Sequence, residues 1–264
     1  MYSGPVGVVV HLVAGLFGVG FLWHAASVAR QRRAMTDPDA ERIGDVTDGD
    51  AVALDGTVQA KANESGGAET VTAPLGGGEC VFAAWRVEEF IGHELGEHSG
   101  WTEQASGYVT TPFELTDASG EITVEVVGER EVLGTEFDLA DLDSPRKSVP
   151  VEADLPPEIQ QFETAHDVPE RTPADPAPPS SESGPTQGDR RYYVGTIETG
   201  DSLFVAGTAT RSDRGSCAVS DETGESLLLS DSGREGATGE RAGRAAVTGL
   251  VGVVLLWYTL QPAL

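Results

Sequence analysis

The stretch Thr111-Pro112-Phe113-Glu114-Leu115-Thr116-Asp117-Ala118-Ser119-Gly120-Glu121-Ile122-Thr123-Val124 decides the fold. Phe113 and Leu115 alternate with polar residues on one side of Asp117-Ala118-Ser119-Gly120, and Ile122, Val124 and Val126 do the same on the other. A period of two sends successive apolar side chains to one face of an extended chain, so the stretch predicts a β-hairpin with Phe113 and Leu115 in the core. Asp117 is expected to accept local backbone hydrogen bonds, and Gly120 to take a positive φ, at the turn between the strands.

The same period extends outward in both directions. Val52, Leu54, Gly56 and Val58 alternate with polar or small residues, and 80–90 is an apolar-rich extended run. Leu203, Val205 and Gly207, then Leu227 and Leu229, continue the pattern toward the C-terminus. Turn chemistry punctuates these runs at Asp48-Gly49, Ser65-Gly66-Gly67, Gly76-Gly77-Gly78, Thr199-Gly200-Asp201 and Thr223-Gly224. The reading is a mainly β domain of about seven to nine short strands, closed into a small barrel or sandwich that covers its edges. It has a first part at 45–140 and a second part at 190–231. Between them, 141–189 holds ten of the fifteen prolines with Ser, Asp and Glu, and Phe162 is almost its only aromatic residue. So little apolar area does not offset the entropy of ordering a chain, which predicts a disordered insertion relieved by one helical turn near 157–163.

Charge narrows the function classes. The 264 residues carry 17 Lys+Arg against 43 Asp+Glu, a net charge of −26, and every acid lies between Asp37 and Glu240. Such a surface repels phosphates, so no nucleic-acid partner is expected. Two cysteines, Cys80 and Cys217, cannot supply a structural zinc module or a disulfide scaffold, and both are expected as free thiols. With 15 Arg, only Lys61 and Lys147 as lysines, and few large aromatics, the balance resembles that of proteins from salt-loving archaea. Strong screening there shortens the range of self-repulsion.

The uncharged ends read as membrane spans. Residues 6–28 form an apolar run long enough, at about 1.5 Å rise per residue, to cross a hydrocarbon core of about 30 Å, and 242–261 form a second. Arg30, Arg32 and Arg33 follow the first, Arg234 and Arg241 precede the second, and Arg244 near its start can snorkel to the same side, while 1–5 carries no charge. The basic side marks the cytoplasm, so the expectation is a two-span protein of the cell membrane with an external N-terminus and a cytoplasmic central domain. His11 and His24 lie inside the first span. A polar group in lipid faces a partner, which leaves a contact with the second helix or another subunit, and so a homo-oligomer, open.

With these residues in view, the chain resembles the GIDE domain, also called the beside-a-membrane (BAM) domain. That domain lies between two transmembrane helices in mitochondrial RING-type E3 ubiquitin ligases and has archaeal and bacterial relatives. Residues 111–124 resemble its "P-F-x-L-x-D-x-x-G-x-v-x-V" core through Pro112, Phe113, Leu115, Asp117 and Gly120. Gly56-Thr57-Val58, Ala73-Pro74-Leu75, Cys80-Val81 and Trp85-Arg86-Val87-Glu88 resemble its opening. Residues 196–207 resemble its closing "E-x-x-i-x-x-G-d-x-l-x-v-x-G" through Glu198, Gly200, Asp201 and Gly207. The resemblance implies a structural or partner-binding role for these residues. It also raises a place in a ubiquitin-like modification pathway, although no Cys or His follows Cys217 to build a zinc-binding RING.

No catalytic scheme assembles from the sequence. Ile91-Gly92-His93-Glu94-Leu95-Gly96-Glu97-His98 sets its histidines five apart, where a zinc-peptidase helix needs i and i+4, and its glycines favour a polar hairpin tip. There is no G-x-S-x-G elbow, Walker A loop or G-x-G-x-x-G after a strand. The expectation is therefore a membrane-anchored binding or adaptor module without a catalytic residue, metal or cofactor, serving a protein partner in the cytosol.

Overall fold

The computed structural model describes residues 38–63, 65–92, 100–127, 135–173, 184–211, 215–221 and 227–234. In chain order the strands are β1 (Ala51–Ala60), β2 (Val71–Thr72), β3 (Glu79–Cys80), β4 (Phe82–Ile91), β5 (Gly100–Thr110), β6 (Phe113–Asp117) and β7 (Gly120–Glu125). After them come β8 (Thr135–Asp138), β9 (Lys147–Val149), helix α1 (Pro157–Ala165), β10 (Arg190–Ile197), β11 (Ser202–Arg211), β12 (Cys217–Ser220) and β13 (Leu227–Ser230).

Five of these strands close on themselves. β1 pairs with β6, β6 with β7, β7 with β12, β12 with β11, and β11 returns to β1. All contacts are antiparallel except β7–β12, which is parallel. Counting only the barrel strands, the order is first, second, third, fifth, fourth and back to first, the winding of an OB-type Greek-key barrel. Closure removes the sheet edges that would otherwise template aggregation. β1 makes it possible by changing partner midway: Thr57 faces both Ser202 of β11 and Thr116 of β6. Gly56 sits at that corner because a Cβ there would lie 2.7 Å from Leu115 Cγ and 2.8 Å from the Thr116 carbonyl oxygen.

The interior is the set of period-two residues. Val52, Leu54 and Val58 meet Phe113, Leu115, Ile122, Val124, Leu203, Val205, Val219, Leu227 and Leu229, all buried. The predicted hairpin over 111–124 is present as β6 and β7, in register from Phe113–Val124 to Asp117–Gly120.

Two long excursions leave the barrel and knit a second sheet beside it, in the order β5-β4-β10-β9. β4 and β5 come from the connection between β1 and β6, and β9 and β10 from the connection between β7 and β11. One face of this sheet abuts the barrel through Phe82, whose ring lies 4.6 Å from Phe137 and 5.8 Å from Tyr108. The other face carries Trp85, Val87 and Glu89 of β4 opposite Val194, Tyr192 and Arg190 of β10. Helix α1 covers that face with Ile159 and Phe162.

Several expectations need correcting. Among the described residues no helix is long and apolar enough to cross a membrane, so the two transmembrane helices flanking the β domain are not upheld. The stretches assigned to them, 6–28 and 242–261, lie outside the described residues, as do His11 and His24. The membrane location and the cytoplasmic placement of the central domain rested on those spans and are likewise not supported. Residues 141–173, expected as part of a disordered insertion, instead contain β9 and a nine-residue helix. The physical reason is that Ile159 and Phe162 find their apolar contacts on a distant strand pair rather than within the Pro-rich stretch itself. Gly120, finally, does not take a positive φ: it is the first residue of β7 and pairs with Asp117.

Candidate functional site

Of the residues singled out in the sequence, Asp117 and Gly120 belong to one turn and Glu198, Gly200 and Asp201 to another. Asp117 accepts hydrogen bonds from the backbone N–H of Ser119 (2.6 Å), Gly120 (3.0 Å) and Ile43 (3.1 Å) and from the Ser119 hydroxyl (2.6 Å). Burial pushes its carboxyl up, but the hydrogen bonds from Ser119, Ile43 and Gly120 together hold it below the ordinary aspartate value. Asp117 therefore closes the β6–β7 hairpin and pins a short 3-10 turn, Ile43–Asp45, over it. Phe113 and Leu115 are buried in the barrel core, and Pro112 links the side sheet to the barrel just after Thr111, whose N–H donates to the Val81 carbonyl.

That second turn joins β10 to β11. Gly200 takes φ +98°, Asp201 accepts the Glu198 N–H at 2.7 Å, and the turn is stitched to β1 by Gly200 N–H to Val58 O and Val58 N–H to Asp201 O, both 2.9 Å. Gly207 lies buried in β11 opposite Val52.

The Glu198–Asp201 turn also forms one wall of a cleft of about 460 Å³ at the seam between barrel and side sheet. Its floor is Ile197 and Leu203, with Thr196 and Ser202 beside them. Four carboxylates surround it: Glu198 and Asp201 from the turn, Asp141 from the 3-10 turn Ala140–Leu142, and Asp231 just past β13. Asp231 is tied in place by the Ala140 N–H, 2.9 and 3.1 Å from its two oxygens. Burial, with the nearby charges of Asp138 and Asp141, raises its carboxyl above the ordinary value against the pull of the Ala140 N–H. Asp141 and Glu198 are exposed and point their charge at solvent, so the cleft offers acceptors and negative potential to a cationic group.

Sequence reading singled out Glu198 and Asp201 but not Asp141 and Asp231. In a chain with 43 acids nothing local marks those two, because only the fold brings 141 and 231 to the same seam. Among the described residues no group of three or more His, Cys, Asp or Glu is placed to hold a metal ion, and residues 93–98 lie outside them. Both cysteines are free. Cys80 is buried with its thiol directed at the Val71 carbonyl, 3.6 Å away, and burial, then the charge of Glu198, pushes its pKa up.

The barrel's outer wall over β6 and β7 bears Glu114, Thr116, Glu121, Thr123 and Glu125. Where OB-type barrels that bind nucleic acid place contacts to bases and phosphates, this one places carboxylates and hydroxyls. Topology by itself assigns no activity.

No family model matches the chain, and neither a curated protein nor a solved structure matches it.

Proposed function

We propose that this chain is a GIDE-like binding module, an adaptor that holds a protein partner without carrying out chemistry on it. The observation that supports this reading is the seam cleft. The closing motif that carries the resemblance supplies part of its lining, and Asp141, Glu198, Asp201 and Asp231 line it from three separate chain segments. Acceptors around a small apolar floor suit a Lys- or Arg-bearing segment, held by charge-assisted hydrogen bonds and found quickly through the chain's negative field.

The test is a titration of a fluorescent Lys/Arg-rich peptide with the full chain at about 0.15 M salt, followed by anisotropy. Asp141→Asn with Glu198→Gln removes two exposed charges from the cleft, and Glu114→Gln with Glu121→Gln removes two from the barrel wall. Binding is expected to weaken about tenfold in the first pair and little in the second, as for a localised charge contact of about 1.4 kcal/mol. Equal weakening in both pairs would mean that only the overall field attracts the peptide, and the cleft would lose its assignment. No binding to the unaltered chain would end the reading.

A further inference from the structure

We propose that residues 150–173 are a strap that opens as one unit from the outer face of the side sheet while the sheet and the barrel stay folded. The topology allows it. The chain leaves the sheet after Val149 and returns at Arg190, and these two residues are register partners in the β9–β10 pairing. The excursion between them can lift without breaking a strand pair.

The strap is held on in an unusual way. Among the described residues no backbone–backbone hydrogen bond joins 151–173 to either sheet; those it makes stay within it or reach Pro150. Its polar attachments all run through side chains. Arg190 donates from Nη1 to Glu163 Oε1 and from Nη2 to the Pro169 carbonyl, both at 2.6 Å, and the Tyr192 hydroxyl donates to Glu163 Oε1 at 2.6 Å. Glu89 accepts the Thr172 N–H at 3.0 Å and Asp189 the Val151 N–H at 2.8 Å. Lys147 of β9 also pairs with Glu158 of α1, and Gln187 Nε2 donates to the Pro173 carbonyl at 3.5 Å. The rest of the hold is apolar: Ile159 and Phe162 on Trp85, Val87, Tyr192 and Val194, with the Phe162 ring edge-on to Trp85 at 5.1 Å.

Elements joined by a backbone ladder share its cooperativity, whereas a segment docked by side chains alone is a separate opening unit of lower stability. Here the latch is concentrated at Glu163, which takes both Arg190 and Tyr192. Opening uncovers an apolar patch ending in the Arg190–Glu89 pair. The patch is shaped for a helix with two apolar residues three apart followed by an acid, the pattern of Ile159, Phe162 and Glu163.

Native-state hydrogen exchange of the full chain, read by mass spectrometry with local resolution, tests this. The amides of α1 and Val168 are expected to share one opening constant, on the order of a hundredfold larger than that of β4 and β10. Glu163→Gln is expected to raise the strap's constant about tenfold or more and leave β4 and β10 unchanged, since it weakens two charge-assisted hydrogen bonds. Ile159→Val, a milder change, should raise the same constant by a few-fold and again spare the sheet. The proposal is overturned if α1 exchanges with the same constant as β4 and β10, if its amides exchange with unrelated constants as in fraying, or if neither substitution moves them.

Discussion

Among the described residues, the apolar cluster that fills the barrel holds no charged side chain, whereas the face beneath the strap buries an arginine between two glutamates. In the barrel, twelve strand residues from Val52 to Leu229 meet through apolar contact alone. Under the strap, the Arg190 side chain is 0% exposed and Glu89 1%, joined at 2.8 Å, and Glu163, 14% exposed, completes the arrangement. Apolar burial is non-directional, so a barrel core tolerates small rearrangements among residues of similar volume. A buried ion pair is directional, and its desolvation cost is recovered only while every partner stays in place. The barrel is thus stabilised by quantity of contact, and the strapped face by completeness of one network.

The sharpest way to break this contrast is to remove the cation. Arg190→Ala leaves Glu89 buried and uncompensated and should cost about 3–5 kcal/mol in urea denaturation. Replacing both fully buried partners, as Arg190→Met with Glu89→Leu, should recover the larger part of that loss, because the charge left without its cation is then Glu163, which is 14% exposed and keeps the Tyr192 hydroxyl. A double variant no more stable than the single would show that the network contributes through packing, and the contrast with the barrel would disappear.

Paired large-to-small substitutions sharpen it. Phe113→Ala opens a cavity in the closed barrel and should cost about 3–5 kcal/mol, because its neighbours on β1 and β7 are fixed by ladders on both sides. Phe162→Ala removes the same side chain from the strap, where the cost of global unfolding is limited by the free energy at which the strap already opens. The loss measured by denaturation should therefore be clearly smaller, with no change in the urea dependence of the barrel's own transition. Equal losses would mean that strap and barrel unfold together.

Much of the barrel was legible because its information is local. Phe113, Leu115, Ile122 and Val124 announce their hairpin over a dozen residues, and Ser119-Gly120 marks its end. The closure was not legible, since no pattern says that Thr57 will face both Ser202 and Thr116. The strap was misread for the same reason: Ile159 and Phe162 look insufficient within a Pro-rich stretch and become sufficient only against Trp85 and Tyr192. Glu89 and Arg190 stand 101 residues apart, and neither is distinguishable in the sequence from charges that face water. Of the cleft, the Glu198–Asp201 turn was read as a turn, while Asp141 and Asp231 were hidden among so many acids.

Two glycines with similar backbones probe the regions at a finer level. Gly188 (φ +89°) lies beneath the strap, where a Cβ would come within 2.4 Å of the Thr172 carbonyl oxygen and 2.7 Å of Val151 Cγ2. Gly200 (φ +98°), in the turn at the cleft, has open space around the same position. Both alanine variants incur the left-handed penalty of about 1 kcal/mol, and Gly188→Ala should add about 1–3 kcal/mol of displacement strain. Similar costs in thermal melts would show that the strap already sits loosely enough to admit a methyl group.

The smallest expected effects are in the pH limits, and the two regions should respond at opposite ends. Asp117 has a folded-state pKa below its unfolded value, so its contribution is present above about 4, near the ordinary aspartate value, and is lost as pH falls through the lower, folded one. Tyr192 is pushed up to about 12, first by burial and then by its hydrogen bond to Glu163, so its contribution is complete below the ordinary value of 10 and is lost as pH rises through about 12. Acid should therefore loosen the hairpin at the barrel end, and alkali the strap. Hydrogen exchange cannot follow this at alkaline pH, but tyrosinate absorbance can: the difference between the unaltered chain and Tyr192→Phe isolates the one phenol. Its titration near 12, accompanied by a change in Trp85 fluorescence, is the expected result. A Tyr192 that ionises near 10 with no such change would mean that the Glu163 latch is open in solution, and the two regions would then differ in packing alone.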